Sequence, residues 1–323
     1  MEGCRLKRVI LLGDHHQLNP IVKNQALQRD SHFDQSLFTR FLRLNVPFIQ
    51  LDHQGRCRES LLDLYNWNYH HSIQNLEVVK KTNAYDNEYC YANPGFCYDY
   101  QMIHVGEKNG EGELQPVPWY YQNRNEIEYM ISVYQYLRLV GYPAEKITIL
   151  TPYNGQCQLC QQLFEEKFKE DPFYGVPVIS TIDQYQGQQN DIVLLSLVRT
   201  KSVGHIRDWR RLVVALSRAR LGLYVFGKSS LYQQVEELKP VFDLLMKRPT
   251  RLCIVENEQY GDRKRKADEE GEQKIEVFCI DSLVYCVLDS NSGGAEHKNC
   301  GYDCEIQRKS HERGRGTKSV KGE

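Results

Sequence analysis

Four short apolar runs, each ending in small or polar residues, constrain the fold of this chain more than any other feature. They are Arg8 to Leu12 ahead of Gly13-Asp14, Ile147 to Leu150 ahead of Thr151-Pro152, Ile192 to Val198 ahead of Arg199-Thr200, and Leu223 to Phe226 ahead of Gly227. A run that is apolar throughout has no solvent face, which suits a parallel strand covered on both sides. Helical patterns lie between the runs. From Asn123 to Leu139, the residues Ile127, Met130, Ile131, Tyr134 and Leu137 form an i, i+3, i+4, i+7 stripe. Asn123 with Glu126 three residues on is a capping-box start, and Gly141 with Pro143 beyond it is a stop. Strand alternating with helix predicts an α/β doubly wound parallel sheet.

The chain has 323 residues, 41% hydrophobic and 26% charged, enough for a packed core of about two domains. That balance excludes collagen-like, low-complexity and wholly disordered classes. No apolar stretch approaches the roughly 18 residues of a membrane span, and the start lacks a signal-peptide pattern. An intracellular protein with no membrane partner is expected. The net charge of -1 does not point to nucleic acid, so such a case rests on local patches. The strongest runs from Arg199 to Arg220, with seven Lys or Arg against one Asp. Eleven cysteines are expected as reduced thiols. Cys157 and Cys160 share one helical face between Gly155 and Lys169, far from Cys300 and Cys304, so no metal site is expected.

Along the chain, residues 1–46 read as a remnant of one lobe and 47–251 as a complete α/β lobe. Within it, 80–118, rich in Asn, Gly, Tyr and Glu, reads as an irregular insertion. Residues 252–323 read as an atypical, mostly disordered tail, with one element between Ile275 and Leu288. The basic tetrad Arg263-Lys264-Arg265-Lys266 is either a nuclear-localisation signal or a solvated charge run.

In such sheets ligands bind beyond the carboxyl ends of the strands, so polar residues near strand ends are the candidates. They include Gly13-Asp14-His15-His16-Gln17-Leu18, Gln54-Gly55-Arg56, Thr151-Pro152-Tyr153-Asn154-Gly155-Gln156, Asp183-Gln184-Tyr185-Gln186-Gly187, and Arg210 through Arg220. In this order they read G-D-x-x-Q-L, Q-x-R, T-P-Y-x-G-Q, D-x-x-Q-G and R-R-L-x-V-A-L-S-R-A-R. The chain resembles the C-terminal part of a superfamily 1 helicase, in the branch of the nonsense-mediated-decay helicase. Within that branch, Gln35 to Phe41, Tyr65-Asn66-Trp67, Gly141 to Ala144 and Val198 to His205 resemble the intron-binding spliceosomal helicases.

The resemblance implies a RecA-like second lobe and an ATP-dependent RNA helicase acting in pre-mRNA splicing. It implies ATP with Mg²⁺ as cofactor, intron and pre-mRNA as partners with spliceosomal proteins of the intron-binding complex, and a nuclear location. Arg56 and Arg218 would meet the γ-phosphate, whose developing charge suits a guanidinium fork. The alternative for each is a structural carboxylate, and Arg58 lies two residues beyond Arg56. Gln17 would sense the γ-phosphate. Gly187 would let backbone approach a phosphate, and Gln189 would lie by the nucleotide. Thr151, Tyr153, Gln156 and Thr181 would contact RNA, with the Tyr153 ring at the open mouth of the lobe.

The departures from the pattern also carry expectations. Gly55 stands where much of the family has an aromatic residue that stacks on adenine. Gln189 stands where Glu is usual, keeping hydrogen bonds but losing a charge. The chain is read as carrying neither a G-x-x-x-x-G-K-[ST] P-loop nor an Asp-Glu metal pair, so it reads as truncated and inactive alone. A first lobe outside it is expected to supply metal and triphosphate cradle. The alternative function is a non-catalytic RNA- or protein-binding module of the spliceosome with a degenerate nucleotide site.

Overall fold

A computed structural model describes residues 5–277, apart from 6, 108–109, 263, 268, 270, 272 and 273. The main elements are α1 (Glu59–Asn66), β1 (Tyr100–His104), α2 (Arg124–Val140), β2 (Ile147–Thr151), α3 (Asn154–Phe168), β3 (Val178–Thr181), β4 (Asn190–Ser196), α4 (Trp209–Leu216), β5 (Ala219–Gly227) and α5 (Lys239–Leu245). The strands form one five-stranded sheet in the order β1-β5-β4-β2-β3, parallel throughout. This is the expected RecA-like doubly wound sheet.

Successive side chains of a strand point to opposite faces, and the core divides accordingly. Val193, Leu195, Leu223 and Val225 pack with Leu61, Leu64, Leu216 and Phe242, so α1, α4 and α5 cover one face. Ile192, Leu194, Tyr224 and Phe226 pack with Ile127, Met130, Tyr134 and Phe164, so α2 and α3 cover the other. The central strands are buried on both faces, which is why they read as unbroken apolar runs. In α2 the Asn123 side chain accepts the Glu126 N–H, and Gly141 closes the helix with a left-handed φ of 103°. That conformation favours glycine. Among the described residues no helix is long and apolar enough to cross a membrane.

Four expectations are corrected. Arg8 to Leu12 forms no strand, and Val9, Ile10 and Leu12 are exposed. Strands β1 and β3 are unexpected, and β1 makes the 80–118 region part of the sheet. Its apolar run is broken by Gln101, which is buried because its amide donates to the Pro249 and Arg251 carbonyls at 2.7 and 2.5 Å. The fold also continues past residue 251. Cys253–Val255 pairs antiparallel with Lys274–Glu276, and Ile254, Ile275 and Val277 pack on the core around Phe96. Finally, the basic tetrad is not a free charge run. Arg265 binds Glu258 at 2.6 Å and donates to the Phe96 carbonyl, and Lys266 pairs with Asp86. Arg263, and the tail from 278 onward, lie outside the described residues.

Candidate functional site

The expected nucleotide residues gather where β4 and β5 begin. Arg218 immediately precedes β5, and Gly187 to Gln189 lead into β4. Ser217 joins the two arginines. Arg56 donates through Nη1 to the Ser217 carbonyl at 3.2 Å, and Arg218 donates through Nη2 to the Ser217 hydroxyl at 2.7 Å. Arg218 is 1% exposed, and two more of its five donors are held by the Val214 and Gln188 carbonyls at 2.8 and 3.0 Å. Among the described residues no carboxylate pairs with Arg56 or Arg218, whereas Arg58 is structural and holds Asp99 at 2.9 Å. Burial first, and then repulsion from Arg56, lower the Arg218 pKa to about 10.

Gln189 orients Arg56 without pairing its charge. Its Oε1 accepts Arg56 Nε at 2.7 Å. A carboxylate there would neutralise the guanidinium; the amide orients it and leaves the charge in place. Gly187 adopts a left-handed φ of 89° with open space where a side chain would start. The turn itself therefore requires glycine, rather than a close neighbour.

Gln17 stands close by, in a loop that the sequence pattern marked and beside a tyrosine that it did not. Asp14 accepts the Gln17 amide at 2.8 Å, the His16 N–H at 3.0 Å and the Tyr69 hydroxyl at 2.6 Å. Tyr69 follows α1 and is one of three tyrosines near Arg218 that offset part of the fall in its pKa. Tyr69 thus anchors the Gln17 loop, through Asp14, to the segment that follows α1.

The expected RNA residues lie at the opposite edge of the sheet. After β2 the chain turns to α3 on one face, and after β4 it turns to α4 on the other. The carboxyl ends of β2 and β4 therefore flank a switch-point crevice. Thr151 ends β2, and its hydroxyl is buried without a hydrogen-bond partner. Its neighbour α3 begins at Tyr153 with no side-chain cap. An orphaned hydroxyl beside uncapped N–H groups fits a phosphate oxygen. Thr181 ends β3, is buried, and accepts the Gln184 N–H at 3.4 Å.

Two expected RNA contacts are corrected. Tyr153 is 2% exposed; its hydroxyl accepts the His205 N–H at 2.9 Å, and its ring stacks on His205. Its apolar ring is covered, so it shapes the crevice wall instead of opening to it. Gln156 is fully buried. Its amide accepts the Asn123 N–H at 2.7 Å and donates to the Asn123 carbonyl and Ser196 hydroxyl, both at 3.0 Å. It ties α2, α3 and β4 together.

The patch from Arg199 to Arg220 is largely neutralised in place. Arg199 pairs with Glu113, Arg207 with Glu237, Arg211 with Asp183, and Arg220 with Asp191 and Glu88. Lys201, Arg210 and Arg218 have no ion pair among the described residues. Arg199 is a residue whose role the sequence did not disclose. Its Nε binds Glu113 at 2.7 Å, and its guanidinium lies 3.9 Å from the centre of the Tyr121 ring and within 3.4 Å of the Tyr153 hydroxyl.

The P-loop expectation also needs correcting. The string G-x-x-x-x-G-K-S occurs once, as Gly222 to Ser229. Its first six residues lie inside β5, paired on both sides, so they cannot wrap a phosphate. Lys228 binds Glu107 at 2.9 Å. Among the described residues no cluster of three or more His, Cys, Asp or Glu could hold a metal ion. Cys157 and Cys160 are buried along α3. Two guanidinium groups without a carboxylate partner suit an anion, and among the described residues the site offers Mg²⁺ no ligand set of its own.

Comparison with known proteins identifies relatives of this chain. The family described as an AAA domain matches residues 33–230. The RNA helicase aquarius of Mus musculus is 49% identical over 275 residues, 85% of this chain and 18% of that protein. The pre-mRNA-splicing factor cwf11 of Schizosaccharomyces pombe is 27% identical over 88% of this chain and 21% of that protein. The NFX1-type zinc finger-containing protein 1 of Mus musculus is 32% identical over 71% of this chain and 11% of that protein. The chain spans about a fifth or less of these relatives' lengths.

Proposed function

The chain belongs to the AAA domain family, in the superfamily 1 helicase branch that includes RNA helicase aquarius, and from that premise we propose that it is the second RecA-like lobe of an ATP-dependent RNA helicase acting in pre-mRNA splicing. The observation that carries the proposal is the pair Arg56 and Arg218, buried or half-buried, joined through Ser217, and without a carboxylate. A buried cation beside a second cation is costly unless an anion completes it. The γ-phosphate of ATP is such an anion, and it supplies the group whose transfer releases energy. Arg218 and Arg56 would hold its oxygens, Gln189 would aim Arg56, and Gln17 would register occupancy through Asp14 and Tyr69. Mg²⁺ and the rest of the triphosphate cradle would come from a first lobe.

RNA would lie across the switch-point crevice, with phosphates near Thr151, Thr181 and the start of α3. Backbone contacts of this kind position a strand without reading sequence. RNA and pre-mRNA-splicing proteins as partners are supported by the names of the aquarius and cwf11 relatives, and we extend the proposal to intron RNA and a nuclear location. Titration of the 323-residue chain with a fluorescent ATP analogue tests the nucleotide half. Losing a charge-assisted contact from Arg218→Ala or Arg56→Ala should weaken binding at least about tenfold. Unchanged affinity in both variants would reject the assignment.

A further inference from the structure

We infer that Trp119 is a stacking platform for a base of single-stranded RNA, placed at the edge of the crevice by the hairpin of Leu114–Val117 and Tyr120–Gln122. The inference rests on the RNA-binding role proposed above and adds a residue outside the five motifs quoted for this chain. The hairpin turns through Pro118 and Trp119, since Val117 pairs with Tyr120. Trp119 has a φ of 66°. Proline-led turns normally give that left-handed position to Gly or Asn, because a bulky side chain is strained there. The indole is nevertheless 83% exposed. Nothing in the fold is gained from the ring, so both the strain and the exposure point to an outward contact.

The hairpin is fixed to the crevice rather than hanging from it. Tyr120 hydrogen-bonds Gln158 of α3, and the Gln122 amide donates to the Gly155 carbonyl at 3.2 Å. Tyr121 meets Tyr153 edge to face at 5.2 Å, and the Arg199 guanidinium lies over the Tyr121 ring at 3.9 Å. Gly155 leaves no room for a side chain, because an added carbon would lie 2.8 Å from the Tyr120 ring. The hairpin that carries the indole is therefore braced on the loop of Thr151 and the open start of α3. At the foot of the hairpin, Lys201 is exposed, and its backbone N–H is held by Glu113 at 3.4 Å. An exposed aromatic face on a braced hairpin, with a cation at the hairpin's foot and a phosphate-fitting edge next to it, matches a nucleotide: the phosphate at the crevice and the base on the ring. Base stacking of this kind is tolerant of sequence.

The test is binding of a fluorescent single-stranded oligouridine RNA to the 323-residue chain, with Trp119→Ala and Trp119→Phe. Loss of one stacked base should weaken binding roughly 5- to 150-fold in Trp119→Ala. Trp119→Phe should recover most of the loss, and the slope of affinity against salt should hold, because no charge is removed. Both variants should melt like the parent, since the ring is exposed. RNA binding that is equal in Trp119→Ala overturns the stacking role while leaving the RNA function standing. Absence of RNA binding by the parent chain overturns both. Equal RNA binding with loss of a spliceosomal protein contact in Trp119→Ala would show a protein-docking tip, and also overturns stacking.

Discussion

Glu126 accepts the backbone N–H of Val198 at 2.9 Å, and Val198 has a left-handed φ of 72°. A β-branched residue is strained in that region. The same carboxylate oxygen accepts the Ser196 hydroxyl at 2.5 Å. Glu126 is fully buried in α2, so it holds the end of β4 in the bend from which Arg199 departs.

Burial raises the Glu126 pKa from 4.5 to about 8, despite the hydrogen bonds that favour its charged form. Between those values the folded chain keeps a proton that the unfolded chain has released. Stability contributed by protonated Glu126 is therefore present at low pH, falls as pH rises across this window, and levels off above it. Denaturant unfolding at pH 5.5, 6.5 and 7.5 should show a decline that Glu126→Gln largely removes. An equal decline in the variant would assign it to other groups.

Arg199 and Tyr153 are expected to behave as core residues. Burial alone would raise the Glu113 pKa, but Arg199 and the N–H groups of Thr200 and Lys201 outweigh it and hold the carboxylate below its ordinary value. Arg199→Ala leaves that carboxylate unpaired and should cost about 3–5 kcal/mol. Tyr153→Ala empties a packed site and should cost a similar amount, about 3–5 kcal/mol, with a fall in Tm of several degrees. Thermal melts check both. A Tyr153→Ala variant that melts like the parent but binds RNA poorly would restore the open-ring role expected from sequence.

Tyr69→Phe should loosen the Gln17 loop without unfolding the lobe. It removes the 2.6 Å hydrogen bond to Asp14 and the hydroxyl's contact with Gln17, and keeps the ring. Hydrogen bonds to charged groups contribute about 1.5–3 kcal/mol, so amide exchange across residues 13–18 should rise roughly tenfold or more. Exchange that stays at the parent rate would show that the loop is held by other contacts.

The central strands and the longest helix are legible in the amino-acid sequence. The runs at 147–150, 192–198 and 223–226 read correctly because central parallel strands are apolar on both faces. The α2 helix reads correctly because its stripe, its Asn123 cap and Gly141 agree. Strand β1 is hidden because Gln101 breaks its run, and the partners of that amide come from residues 249 and 251, far along the chain. Arg56 and Arg218 can be named from their motifs, but not their junction at Ser217, whose peptide carbonyl leaves no trace in a pattern. Tyr153 and Gln156 are misplaced because a motif marks a position and does not say whether its side chain faces out or in.

Discrimination between ATP and ADP by the 323-residue chain tests the central claim most directly. If Arg56 and Arg218 form a γ-phosphate site, a non-hydrolysable ATP analogue should bind more tightly than ADP. Arg218→Lys should erase most of that difference, because an ammonium cannot reproduce the guanidinium fork, while ADP affinity stays nearly constant. Equal affinity for the two nucleotides in the parent, or an unchanged preference in Arg218→Lys, would contradict the account.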